Sequence, residues 1–279
     1  MRLGVMFDRD LPPEQLIPFA RALDATRVDD LWVVEDLGWT GAISSAATAL
    51  AVTSRLRVAI GITPAPLRNP MLLAMELANL ARVHPGRLAA GIGHGVRDWM
   101  RQVGAAPPSP LALLEETVTA VRALLRGETV TLHGKAVHLD GVRLVHPPAE
   151  PPAVLTGVVG PRSLALSGRV AQGTIVPEGY GPSQLPAVIE QIGATGDHEV
   201  TVFTYLYVGA DAAEATREAA EEQARFLGVP PEEVTMASGT AEEAAARVKG
   251  LWAAGAHTVA VRPLGPDPLS HVTALLSAL

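Results

Sequence analysis

Short apolar runs alternate with longer amphipathic stretches along the whole chain. Residues 3–7, 31–34, 57–62, 88–92, 154–156, 173–176, 199–208 and 257–261 are apolar, often β-branched, and bounded by Gly, Pro or charged residues, as buried strands are. Between them, apolar residues recur at helical spacing over 12–26, 42–53, 70–82, 111–126, 163–170, 182–192, 212–227, 240–254 and 268–279. The first of these carries Leu16, Phe19, Ala20 and Leu23 on one face, and the third carries Met71, Leu72, Met75, Leu77 and Leu80 as expected core. Helices 212–227 and 240–254 are separated by a short acidic loop. Strands that read as continuous apolar runs are covered on both faces, so the sheet is parallel. Eight strand–helix repeats predict an α/β fold, a single (β/α)8 TIM barrel; an open doubly wound sheet is the rival. Residues 128–144, with a Gly134-Lys135 turn, predict a β-hairpin inserted after the fourth helix. No composition shift marks a linker, so residues 1–279 read as one domain.

Composition narrows the class. With 48% of its 279 residues apolar, the chain can bury a large core. The net charge of -7 argues against a nucleic-acid or acidic-membrane partner. The absence of cysteine excludes disulfides and thiolate metal sites and fits a reducing cytoplasm. The opening MRLGVMFDRD meets acids and prolines too early for a signal peptide, and no apolar run reaches the ~18 residues of a membrane span. His133, His138 and His146 lie in or near the hairpin without metal-ligand spacing, and no HExxH occurs, so no metal site is expected.

The working face of such a barrel is the C-terminal end of its strands. Residues there are Asp8 and Arg9; Glu35, Asp36 and Trp39; Gly61, Ile62 and Thr63; Gly93, His94 and Gly95; Thr156 and Gly157; Glu178 and Tyr180; and Arg262. Gly61 near the end of a buried strand marks a bulge or a close approach to a ligand, here a flat ring. Thr156-Gly157-Val158-Val159-Gly160-Pro161-Arg162 joins a strand to a helix. Its free N–H groups at the positive helix end could hold a phosphate, with Arg162 adding charge, or its glycines could serve only a tight turn. Gly91, Gly93 and Gly95 alternate around His94, and this is not the GxGxxG of a Rossmann site. His94 could act directly or be an ordinary hydrogen-bonding loop residue. Glu35 and Asp36 could cap a helix or form ion pairs, or could bind a ring or substrate and move a proton. Trp39, Trp99 and Tyr180 offer an apolar or aromatic wall for a small-molecule substrate.

Taken in order, these motifs resemble the luciferase-like monooxygenase superfamily, and within it the branch that uses the deazaflavin coenzyme F420. The resemblance rests on Leu31 to Asp36; on Arg57-Val58 running to Gly61-Ile62-Thr63 and Arg68-Asn69-Pro70; on Pro85-Gly86-Arg87 with Gly91-Ile92-Gly93; on Gly127 to Gly134; on Gly157 with Gly160-Pro161-Arg162; and on Gly239-Thr240-Ala241-Glu242-Glu243. It implies a cytoplasmic oxidoreductase, often a homodimer, that moves a hydride between F420 and a small organic substrate. The ring would lie against Gly61, Ile62 and Thr63, where the branch has a non-proline cis peptide; the phosphate would meet residues 157–162 and 93–95, and Thr156 and Gly91 belong to the same cofactor-binding set. An FMN-dependent monooxygenase of the same fold and a degenerate flavin-binding barrel are the alternatives. The chain departs from the branch at the second strand. Many members have an acid followed by His there, whereas this chain has Glu35-Asp36. Asp36, Glu35 and His94 are therefore the candidate proton-handling residues, with a carboxylate acting as base or acid.

Overall fold

A computed structural model describes the whole chain, Met1–Leu279. The expected strands form: Arg2–Met6, Asp30–Val33, Arg57–Pro64, Leu88–Gly93, Ala153–Gly157, Gly173–Val176, Glu199–Val208 and Thr258–Pro263. Each pairs in parallel with the next, and the last pairs with the first, so the sheet closes into a barrel. Local chemistry sets the element ends. Helix Pro70–Val83 starts where the Asn69 side chain accepts the Met71 N–H at 2.9 Å, with proline at its first position. Helix Ala241–Ala253 starts on a capping box between Thr240 and Glu243.

The inserted hairpin stands where expected, as strands Val130–His133 and His138–Val142. Its turn is pinned from helix Pro110–Leu125, where the Glu116 carboxylate accepts the N–H groups of Lys135, Ala136 and Val137, each at 2.8 Å. Four details depart from the sequence pattern. The helix expected over 212–227 is divided at Thr216 into Ala212–Ala215 and Arg217–Leu227. There the Thr216 hydroxyl donates to the Ala212 carbonyl at 2.8 Å, the local bonding by which threonine competes with regular structure. The supposed acidic loop contains an extra strand, Ala237–Gly239, paired with the seventh strand outside the ring. A helix too short to show periodicity, Arg97–Gln102, follows the fourth strand. Met75 and Leu72 are not core: they are 49% and 56% exposed, because Leu73, Leu77 and Leu80 take the inward stripe of their helix.

The barrel interior is stacked in layers, as closed eight-stranded sheets require. The middle of the barrel takes one residue from each strand: Met6, Trp32, Ala59, Ala89, Leu155, Ile175, Phe203 and Ala260. Trp32 and Phe203 meet edge to face at 5.0 Å between centroids and fill most of this space. That is why the other positions include three alanines, and why residue 4 is glycine: a Cβ there would lie 2.5 Å from Trp32 Nε1. Below lies an ionic plug. Arg57 bonds Asp30 (Nη2–Oδ2 2.8 Å) and reaches across to Glu199 (Nη2–Oε1 2.8 Å). Thr258 and Thr201 hydroxyls donate to the same Glu199 carboxylate, and Arg2 shares Asp30. A separate shell of 54 buried residues packs the helices onto the outside of the strands.

Burial alone would raise the Glu199 pKa, but the Arg57 pairing and the two threonine hydroxyls outweigh it and hold it at about 2. Two outcomes follow. Arg57→Met leaves the Glu199 carboxylate without a cation and Asp30 with Arg2 alone, and lowers unfolding stability by about 3–5 kcal/mol, read from urea denaturation. A depressed folded-state pKa gives stability that is complete above the unfolded value, near 4.3, and is lost as the pH falls toward about 2. Stability of the wild type therefore drops across that acid window, and the drop is smaller in Glu199→Gln.

Candidate functional site

A cavity of about 550 Å³ opens at the C-terminal ends of the strands. Its depth follows from what the strands place above the aromatic layer. The third, fourth and fifth strands carry Gly61, Gly91 and Gly157 there, with no side chains to fill the mouth. The seventh and eighth strands carry Tyr205 and Arg262, and the first continues into Asp8. One side of the mouth is therefore open and apolar and the other is charged.

The apolar side is built around Ile62. Strands three and four lose register between Ile60 and Thr63, and the Gly61-Ile62 peptide is cis, as the resemblance implied. The Ile62 side chain then lies in a nest of glycines. A Cβ on Gly157 would come within 2.5 Å of Ile62 Cγ2, one on Gly93 within 2.9 Å of Ile62 Cδ1, and one on Gly91 within 3.1 Å of Ile62 Cγ2. Gly61 itself clears Phe203 Cζ, which a Cβ would meet at 2.6 Å. The sequence pattern took these glycines as room for a ligand against backbone. They instead let Ile62 sink, so that Ile62, Ile175 and Phe203 form a floor facing the cavity.

At one edge of this floor the fifth strand passes through Val158, Val159 and Gly160 into helix Pro161–Val170. Gly160 has φ +82°, which turns the chain into the helix. The N–H groups of Val159, Gly160 and Arg162 have no acceptor within the chain, at the positive end of that helix. His94 joins them, its Nε2 3.2 Å from Ser163 Oγ. Burial lowers the His94 pKa, against the Pro110 carbonyl that raises it, which favours the neutral ring.

The opposite wall is ionic. Arg9 Nη1 donates to Asp36 Oδ2 at 2.7 Å, and its guanidinium stacks 4.5 Å from the centre of the Trp39 ring. Arg262 Nε donates to Asp8 Oδ2 at 2.5 Å and lies over the Tyr205 ring. Glu178, in the turn after strand six, is 12% exposed and its Oε1 lies 3.9 Å from Arg262 Nη1. Burial raises the Glu178 pKa, partly countered by Arg262. Helix Arg217–Leu227 roofs this side with Glu222, Gln223 and Phe226.

The structure sorts the sequence candidates. Glu35, Asp36, Gly61, Ile62, His94, Gly95, Gly157, Val158 and Val159 line this one cavity. Thr63, Gly91, Gly93 and Thr156 are buried behind it. Thr63 donates to the Gly91 carbonyl at 3.1 Å, and Thr156 faces helix Pro161–Val170, bonded to Ser167 Oγ at 2.5 Å. Gly160 and Pro161 are exposed at the helix start. The Arg162 side chain points to a separate cleft with Leu111, Glu115 and Arg169. Glu35 is committed: both ends of its carboxylate meet Arg68, and Oε2 also accepts the Ala42 N–H at 3.0 Å at the start of the next helix. Of the expected aromatic wall only Trp99 lines the cavity; Trp39 stacks on it at 6.1 Å and Tyr180 packs in the outer core. Arg9, Glu178 and Arg262 were placed at the working face by strand ends, but no pattern singled them out. Phe203, Tyr205, Gln223 and Phe226 were missed, the first two for lying inside one long apolar run.

Comparison with known proteins places this architecture. The 5,10-methylenetetrahydromethanopterin reductase of Methanolobus tindarius is 23% identical over 263 residues, covering 91% of this chain and 80% of that protein. An F420-dependent glucose-6-phosphate dehydrogenase of Nakamurella multipartita is 31% identical over 212 residues, covering 71% of this chain; the match spans only 60% of that relative's length. The solved structure of an F420-dependent secondary alcohol dehydrogenase in complex with an F420-acetone adduct superposes with TM-score 0.84 at 20% identity, covering 100% of this chain and 98% of that one. The family model described as luciferase-like monooxygenase matches residues 1–277, so the chain belongs to the luciferase-like monooxygenase family.

Proposed function

We propose that this chain, working as one domain over residues 1–279, is a cytoplasmic F420-dependent oxidoreductase that transfers a hydride between the deazaflavin and a small organic substrate. The observation that carries the reading is the divided mouth: an apolar floor of Ile62, Ile175 and Phe203 beside an unpaired set of N–H groups at a helix start. The floor suits a planar ring, and the helix start suits a phosphate. Val159, Gly160, His94 and Ser163 would hold that phosphate, and Ile62 would back the ring. When bound, F420 supplies the hydride; the chain supplies orientation and charge. F420 dependence in the glucose-6-phosphate dehydrogenase and the secondary alcohol dehydrogenase supports this choice. An FMN-dependent monooxygenase is the second reading, favoured by the family's own description.

We also propose that two copies associate through helix Pro70–Val83, whose Leu72, Met75 and Val83 are exposed apolar residues on its outer side.

Fluorescence titration of the purified protein separates the cofactors: F420 binds and FMN does not, whereas tight FMN binding favours the second reading. Binding without turnover of any substrate would mark a degenerate barrel. Gly157→Ala drives a methyl into Ile62 and weakens F420 binding at least about tenfold, or about 1.4 kcal/mol. Light scattering shows a dimer for the wild type and a monomer for the Leu72→Glu, Met75→Glu double variant.

A further inference from the structure

We propose that Glu178 is the catalytic acid and base of this cavity, giving a proton to the substrate's carbonyl oxygen as the carbon is reduced and taking it back in the reverse direction. This rests on the hydride-transfer reading above and names the group that completes it.

Most carboxylates around the cavity are already engaged. Four acids besides Glu178 stand around the mouth. Glu35 is held by Arg68 and the Ala42 N–H. Asp36 is held by Arg9 at 2.7 Å. Asp8 is held by Arg262 at 2.5 Å and also accepts the Asp10 N–H. Glu222 is mostly exposed on the roof helix, 3.7 Å from Arg9. Glu178 alone among the buried ones has no partner side chain within hydrogen-bond distance, and it lines the cavity.

Charge gives the same answer. Arg9 and Arg262 are already matched by Asp36 and Asp8, so an ionised Glu178 would add an uncompensated buried negative charge. The groups facing it are Arg262 and Tyr205 from the eighth and seventh strands, Asp8 and Asp36 beyond the first and second, and Gln223 and Glu222 from the roof. Arg262 and the backbone N–H of Glu178 itself favour its anion, whereas burial, Asp8 and Asp36 oppose it. Burial in this setting shifts the carboxyl upward, which keeps it protonated closer to neutral pH.

The backbone that carries the carboxyl is also held in place. The Gln223 side-chain amide donates to the Glu178 carbonyl at 2.6 Å. The neighbouring Gly179 has φ +100° and its carbonyl accepts the Thr235 N–H at 2.9 Å. A Cβ at Gly179 would lie 2.7 Å from Leu227 Cδ1, so the turn seats tightly under the roof helix.

In the reducing direction the balance is simple. The carbonyl carbon gains a C–H bond from the hydride supplied by a reduced deazaflavin. The C=O π pair moves to oxygen, and the Glu178 O–H bond breaks as its proton passes to that oxygen. The products are the alcohol, the oxidised cofactor and the Glu178 carboxylate, which solvent reprotonates.

The test compares wild type, Glu178→Gln and Glu178→Asp. Carbon NMR of protein labelled at the glutamate side-chain carboxyl, without cofactor, is expected to show one carboxyl titrating above the ordinary glutamate range and missing from Glu178→Gln. With F420 loaded, reduction of acetone and a panel of larger ketones and aldehydes is followed by recovery of cofactor fluorescence. Glu178→Gln is expected to keep F420 affinity within about twofold and lose about 10²–10⁴ in kcat, with Glu178→Asp recovering part of it. The wild-type rate should fall as the pH rises through the Glu178 titration, and that limb should vanish in the Gln variant. The proposal is overturned by a wild type with no high-titrating glutamate, by a Gln variant that keeps kcat or the limb, or by a loaded wild type that reduces no carbonyl in the panel. Failure of the wild type to bind F420 overturns the hydride-transfer reading and the proton role with it; the NMR titration, which needs no cofactor, then shows whether the carboxyl itself was correctly described.

Discussion

Space inside a closed eight-stranded sheet is the constraint on which everything else in this molecule depends. Inward side chains from all eight strands share one narrow interior, so a large side chain at one position obliges small ones at others. Trp32 and Phe203 use up the middle layer, and Gly4, Ala59, Ala89 and Ala260 answer them. With the middle sealed, whatever the upper layer leaves empty becomes a cavity. Glycines on three neighbouring strands let Ile62 sink into a low apolar floor, which leaves the mouth open on one side only. The asymmetry of the site, apolar on one arc and ionic on the other, is thus a packing result before it is a chemical one.

The two ionic layers solve different problems. In the lower one, Arg57 meets Asp30 and Glu199 with several hydrogen bonds, and threonine hydroxyls use remaining acceptor positions. Such a network is costly to break from one side but carries no group left over for chemistry. In the upper one, Arg9 and Arg262 each take one aspartate and leave a third buried carboxyl facing open space. An acid without a partner is a poor contributor to stability. Its place next to an open cavity is where such a cost is compatible with function.

Much of the barrel was legible in the sequence because its strands are apolar on both faces and its helices are not. Strand and helix periods therefore separate cleanly, and the hairpin announced itself through its turn. Glu35 shows where legibility stops. Its position at a strand end was readable, but its engagement by Arg68 and the Ala42 N–H is a contact between residues far apart in the chain or across a loop. The Gly91, Gly93 and Gly157 positions were readable as places needing room, yet the occupant is Ile62, which only the folded register reveals. Tyr205 and Phe203 were hidden for another reason. Residues 199–208 do alternate, with Glu199, Thr201, Phe203 and Tyr205 opposite Val200, Val202 and Leu206, but in a strand buried on both faces the alternation does not say which set faces the barrel interior.

The bond from Gln223 to the Glu178 carbonyl ties the roof helix to the turn beneath it. Gly179 and Thr235 add a second stitch from the segment that follows the same helix. Roof and carboxyl therefore share one mechanical frame. A guest bulky enough to lift the helix would also reposition the acid, so the pocket gauges the size of what enters by the same joint that sets its reactivity.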